Sequence, residues 1–97
     1  MLYHYTTQSA AAQIVADGFR DSPGDSFFPA GVWLSDSSDI RDRAMRGHSE
    51  GAMLMIDVPE DLAQRFLIAN FPGRWREFCI PAEVVNRLPI GPVSAAR

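Results

Sequence analysis

Three side chains in three strand-like segments carry the chemistry this chain can offer. They are His4 in Leu2-Tyr3-His4-Tyr5-Thr6, Trp33 in Gly31-Val32-Trp33-Leu34-Ser35, and Glu77 in Trp75-Arg76-Glu77-Phe78-Cys79-Ile80-Pro81. Glu77 is the most informative, because a carboxylate inside an aromatic and apolar strand is costly to bury without a partner. Alternation puts Phe78 and Ile80 on one face and Glu77 and Cys79 on the other. Such a glutamate either lies on the solvated face of an edge strand, the commoner fate, or points into a cleft. Adjacent pairing of the three strands would align His4, Trp33 and Glu77 along one crevice, which favours the cleft.

Other chemistries find little support. There is no glycine-rich phosphate loop, no serine nucleophile elbow and no cluster with metal-ligand spacing. His4 and His48 are far apart in sequence, and His48 sits in a glycine-flanked loop where solvent exposure is expected. The single cysteine, Cys79, excludes an internal disulfide and a cysteine-based zinc site. A Cys79–His4 hydrolase pair is disfavoured, since the neighbouring Glu77 carboxylate works against a thiolate and no orienting Asn or Asp is evident. The formal net charge of −3 provides no basic stripe for tight duplex binding. All nine cations are arginines, whose planar guanidinium suits phosphate or carboxylate recognition.

The elements that must position these residues follow from local pattern. At 97 residues the chain is expected to form one domain over residues 1–97, with ten aromatics and 46% hydrophobic residues sufficient for a core. Met1 to Thr6 reads as a strand. Thr7 or Ser9 opens a helix over Gln8 to Ala16, buried through Ala11, Ile14 and Val15, ended by Gly18 and followed by a packed Phe19. Asp21 to Ala30 is loop chemistry, expected to be tucked onto the core by Phe27 and Phe28. Asp39 to Arg46 reads as a short charged helix. Ala52 to Val58, the most apolar stretch, is expected to be a central strand.

Pro59-Glu60-Asp61 opens a helix to about Arg65 that buries Leu62 and Phe66. Leu67 to Asn70 is a further strand, and the turn Phe71-Pro72-Gly73-Arg74 leads into the Glu77 strand, which Pro81 ends. Ala82 to Asn86 makes one or two helical turns, Leu88 to Ile90 is extended, and the residues past Gly91 read as a loose tail. No apolar run reaches membrane-spanning length and no signal peptide is evident, so a cytoplasmic location is expected.

Taken in order, Leu2-Tyr3-His4-Tyr5-Thr6, the helix ending in Gly18-Phe19, Gly31-Val32-Trp33-Leu34-Ser35, and Arg76-Glu77-Phe78 before a proline resemble the ADP-ribosyltransferase superfamily. The nearer branch is that of diphtheria toxin and the poly-ADP-ribose polymerases, with His, Tyr and Glu on three strands. The resemblance spans nearly the whole chain and implies an α+β fold, with mixed, mostly antiparallel sheets around an NAD cleft and short flanking helices. It implies NAD as co-substrate, no metal, and transfer of ADP-ribose to an acceptor with release of nicotinamide. By position, Glu77 and His4 would be catalytic, and His4, Tyr5, Thr6, Gly31, Trp33 and Ser35 would line the NAD site. Within this resemblance Glu77 stabilises the positive charge that develops on the ribose as the glycosidic bond breaks, while Trp33 stacks on the nicotinamide.

The chain departs from the family pattern at several points. Tyr5 stands where glycine is frequent, Trp33 replaces the tyrosine, and Asp39 to Arg46 contains no second aromatic to sandwich the nicotinamide. In arginine-modifying relatives a Gln or Glu stands two residues before the glutamate; here that position is Trp75, between Arg74 and Arg76. An acceptor loop of Arg74, Trp75 and Arg76 suits a planar or anionic acceptor better than an arginine, with a nucleobase stacked on Trp75, although Trp75 packed beneath the turn is an equal expectation. The acceptor is left open among nucleic acid, nucleotide and protein. The alternatives are NAD hydrolysis and a non-catalytic module that binds a nucleotide or ADP-ribose. A toxin-like or phage-related effector role would add an antitoxin or other partner protein.

Overall fold

The computed structural model describes residues 1–38, 51–91 and 94–95. The predicted helix at Asp39 to Arg46 and the His48 loop lie outside the described residues. The strands are β1 (Leu2–Thr6), β2 (Val32–Ser35), β3 (Ala52–Ile56), β4 (Leu67–Phe71), β5 (Trp75–Ile80) and β6 (Ser94–Ala95). The described helices are α1 (Gln8–Asp17), α2 (Glu60–Gln64) and α3 (Ala82–Val85). The strands form a single sheet in the order β4-β5-β2-β1-β3-β6, every neighbouring pair antiparallel. The α+β class holds, but one antiparallel sheet replaces the mixed sheets that were expected.

Local chemistry accounts for most element ends. Thr7, in an extended conformation, accepts a hydrogen bond from the Ala10 N–H through its hydroxyl and starts α1. Gly18, at φ +87°, closes the helix by donating its N–H to the Ile14 carbonyl. The buried stripe of α1 runs through Ala11 and Ile14, while Val15 is 57% exposed, against expectation. Ile14 and Val15 diverge by 100° around the axis, and the packed face leans toward the Ile14 side. In the β4–β5 connection, Pro72 and Gly73 hold the central positions, Gly73 has φ +75°, and Arg74 N–H bonds the Phe71 carbonyl. That is the residue pattern of a type II turn.

Register assigns the two sheet faces. Leu2, Val32, Leu34, Ala52, Leu54, Ile56, Phe78 and Ile80 share one face, and all are buried. Ala11, Phe19, Val58, Ala63, Ala82 and Val85 join them in the same core cluster. Burying such side chains contributes roughly 1.5–3 kcal/mol each for the larger ones. The segment after α1 is pinned by side chains whose role the sequence did not disclose. The Asn86 amide accepts from the Phe19 N–H at 2.7 Å and donates to the Phe19 carbonyl at 3.0 Å. Asp21 accepts from the Ala82 N–H at the start of α3.

Three expectations fail here. The strand at Ala52 to Ile56 is flanked by β1 and the two-residue β6, so it lies near an edge, and Met53 and Met55 are only half-buried. The stretch past Gly91 is not simply a tail, because Gly91 N–H bonds the Met55 carbonyl and Ser94–Ala95 pair with β3. The backbone of β3 facing away from β1 supplies the partner that the tail's own sequence does not advertise. Phe27 is 87% exposed rather than tucked into the core. Its loop is shaped instead by Asp25, whose carboxylate accepts from the N–H groups of Phe27 and Phe28, and by the Ser22–Gly31 bridge. Those two donors hold the Asp25 carboxyl below its ordinary range.

Candidate functional site

The face opposite the core presents Tyr3, Trp33, Ser35, Trp75, Glu77 and Cys79. Tyr3 is paired with Ser35, and Ser35 with Glu77, so these three form a row across β1, β2 and β5. One step along, Trp33 is paired with Cys79. Glu77 is half-buried, and its Oε1 accepts a hydrogen bond from the Trp75 indole Nε1–H at 2.9 Å. Trp75 is only 7% exposed. Ser35 is fully buried, and its hydroxyl accepts from the Ser37 N–H at 3.1 Å. Glu77 is therefore an interior-strand carboxylate with an oriented donor, not a solvated residue on an edge strand.

Trp33 is half-buried, with Phe28 edge-on at 5.4 Å. Gly31 stands at a close approach, since a Cβ there would lie 2.7 Å from the Cys79 sulfur. Cys79 is buried against the Pro29 carbonyl, and burial, with a smaller contribution from Asp21, pushes its thiol above the ordinary value. A thiolate nucleophile does not fit that setting.

His4 does not join this row. It is paired with Leu54, and the Tyr3–Ser35 register places it on the core side of the sheet together with Thr6. Its Nδ1 lies 2.8 Å from the Trp33 carbonyl oxygen; a carbonyl can only accept, so Nδ1 carries the proton. The Phe19 ring meets the imidazole edge-on at 5.2 Å. His4 also lines a cleft of about 200 Å³ beside α1, with Gln13, Ile14, Asp17, Phe19 and Arg20. Adjacent strands did bring the three predicted residues close, but strand parity divides them: Trp33 and Glu77 on one face, His4 on the other. Tyr3 takes the place next to Ser35. Tyr5 is buried on the Glu77 face and donates its hydroxyl to the Ser37 carbonyl.

The predicted acceptor loop divides in the same way. Arg76 has the opposite parity to Glu77 and lies over the Phe78 ring. Its Nε contacts Asp36 at 2.7 Å and its Nη1 contacts Glu60 at 2.6 Å, which ties β2, β5 and α2 together. The hydrogen bonds from Arg76, with a smaller one from Gln64, lower the Glu60 carboxyl to about 2, and the two carboxylates raise the Arg76 guanidinium. Arg76 is thus a structural tie, and it also lines a shallow cleft with Asp36, Asn70, Phe71, Gly73, Arg74 and Trp75. Trp75 does pack beneath the turn: the Phe71 ring lies 4.9 Å away and the Arg74 guanidinium 5.0 Å from the indole centre. These contacts cover part of the indole, and Trp75 still borders the shallow cleft that it shares with Arg74 and Arg76.

Among the described residues, no group of three or more His, Cys, Asp or Glu could hold a metal ion, and no helix is long and apolar enough to cross a membrane. No known family, curated protein or solved structure matches this chain.

Proposed function

We propose that the chain binds NAD and breaks its nicotinamide–ribose bond, passing ADP-ribose to an acceptor, with Glu77 as the charge-stabilising carboxylate. The observation that carries this reading is the half-buried Glu77, oriented by Trp75 and set in a row with Ser35 beside Trp33. The ordered resemblance of the strand segments to the ADP-ribosyltransferases supplies the substrate. In this reaction the bond from the anomeric carbon to the nicotinamide nitrogen breaks, and its electron pair leaves with the ring. The acceptor atom bonds that carbon, and the acceptor's proton passes to solvent. A fixed carboxylate stabilises the cationic sugar before the new bond forms. In this reading Trp33, which is half-buried beside Phe28, stacks on the nicotinamide, and no metal takes part. His4 acts at one remove, holding the β2 backbone through the Trp33 carbonyl.

The test is release of free nicotinamide from NAD by the pure protein, compared with Glu77→Gln. That substitution keeps size and removes charge, so turnover is expected to fall on the order of a hundredfold or more with the fold intact. Undiminished release by the variant would refute the assignment. A second reading, a nucleotide- or ADP-ribose-binding module without turnover, is favoured by one observation: His4 is on the other side of the sheet from Glu77. Calorimetric binding of NAD with no nicotinamide released would select it. If nicotinamide is released, product analysis separates water from other acceptors.

A further inference from the structure

We infer that Trp75 is a positioning residue of the Glu77 carboxylate, its buried indole N–H holding Oε1 in a fixed orientation. The inference rests on the reading of Glu77 given above. An indole nitrogen can only donate, and a buried one must find an acceptor. Trp75 is buried and finds that acceptor in Glu77 Oε1 at 2.9 Å. A donor that cannot become an acceptor favours the ionised carboxylate over the protonated one.

The indole is itself held. Phe71, paired with Trp75 across the β4–β5 hairpin, packs on it at 4.9 Å, and the Arg74 guanidinium lies 5.0 Å from its centre. The Pro72-Gly73 turn fixes the positions of both neighbours. A clamped donor of this kind locks the carboxylate's rotamer before substrate arrives, which is how preorganised charge acts in catalysis. The arrangement also explains why a tryptophan stands two residues before the glutamate: alternation places the two side chains on one face of the strand, close enough to pair.

The test compares wild type with Trp75→Phe and with a protein carrying β-(3-benzothienyl)alanine at position 75, which keeps the bicyclic shape and lacks the N–H. For both variants, kcat for nicotinamide release should fall roughly ten- to hundredfold, as expected for a lost hydrogen bond to a charged group. The KM for NAD should stay within about twofold, and the acidic limb of the pH profile should move to higher pH. An indole that only fills space predicts instead a normal kcat and an unmoved limb in the benzothienyl protein, and that result would overturn the inference. If wild type releases no nicotinamide, the catalytic reading falls on its own. The positioning claim is then decided by NMR: the pH titration of the Glu77 side-chain carboxyl carbon should shift upward in the benzothienyl protein, and coincident titrations would reject it.

Discussion

Replacing Gly31 with alanine tests whether this glycine is held by packing or by a ligand. A Cβ at position 31 would meet the Cys79 sulfur at 2.7 Å, the Ile80 carbonyl oxygen at 3.2 Å and its carbon at 3.3 Å. Comfortable contact begins near 3.5 Å, so the sulfur must retreat by roughly 1 Å within a buried site. Cys79 is buried against the Pro29 carbonyl, which leaves it little room. Overpacking of this kind costs roughly 1–3 kcal/mol. For a domain of this size each kcal/mol lowers Tm by about 4–8 °C, so Gly31→Ala should melt roughly 5–20 °C below wild type. Cys79→Ala removes the offending atom, and the double variant should recover part of the loss. Recovery stays incomplete because the Ile80 backbone contacts persist. Thermal melts of the four proteins, treated as a double-mutant cycle, give the coupling directly. An unchanged Tm in Gly31→Ala, or additive effects in the double variant, would refute the packing account.

Three further outcomes follow from the same geometry. Arg76→Gln should destabilise the protein at neutral pH. The depressed Glu60 carboxyl contributes stability that is present above its ordinary value of 4.5 and lost as pH falls through about 2, so the gap between wild type and variant should narrow across that window in urea unfolding curves. Added salt should narrow it as well. Trp33→Ala should lower Tm modestly, because the indole is only half-buried under Phe28, while weakening NAD binding more strongly; a collapse of the fold on thermal melting would make Trp33 a core residue instead. Offered labelled NAD with single-stranded DNA, RNA, free nucleotides and an arginine-rich protein, the protein should leave arginine side chains unlabelled. The indole that precedes Glu77 cannot accept from a guanidinium and already donates to Glu77, so label chiefly on arginine would refute this.

Much of the local structure could be read from residues near one another in the chain. Thr7 and Gly18 bound α1, Pro72-Gly73 turn β4 into β5, and the alternation at Phe78 and Ile80 identifies the buried side of β5. These features depend on backbone torsions and on side chains a few positions apart, and the amino acids specify them directly. The sheet order does place β1, β2 and β5 side by side, a pairing that the sequence only suggested. What it could not supply was the register between them. The pairing of Tyr3 with Ser35, and of Ser35 with Glu77, decides that Glu77 looks away from His4 and that Arg76 reaches Asp36 and Glu60. The same long-range pairing recruits Ser94–Ala95 to β3, and the hydrogen-bonded loop around Asp25 leaves Phe27 outside. A shift of one residue between strands exchanges the two faces of a sheet, and only the joint packing of the whole core chooses between them.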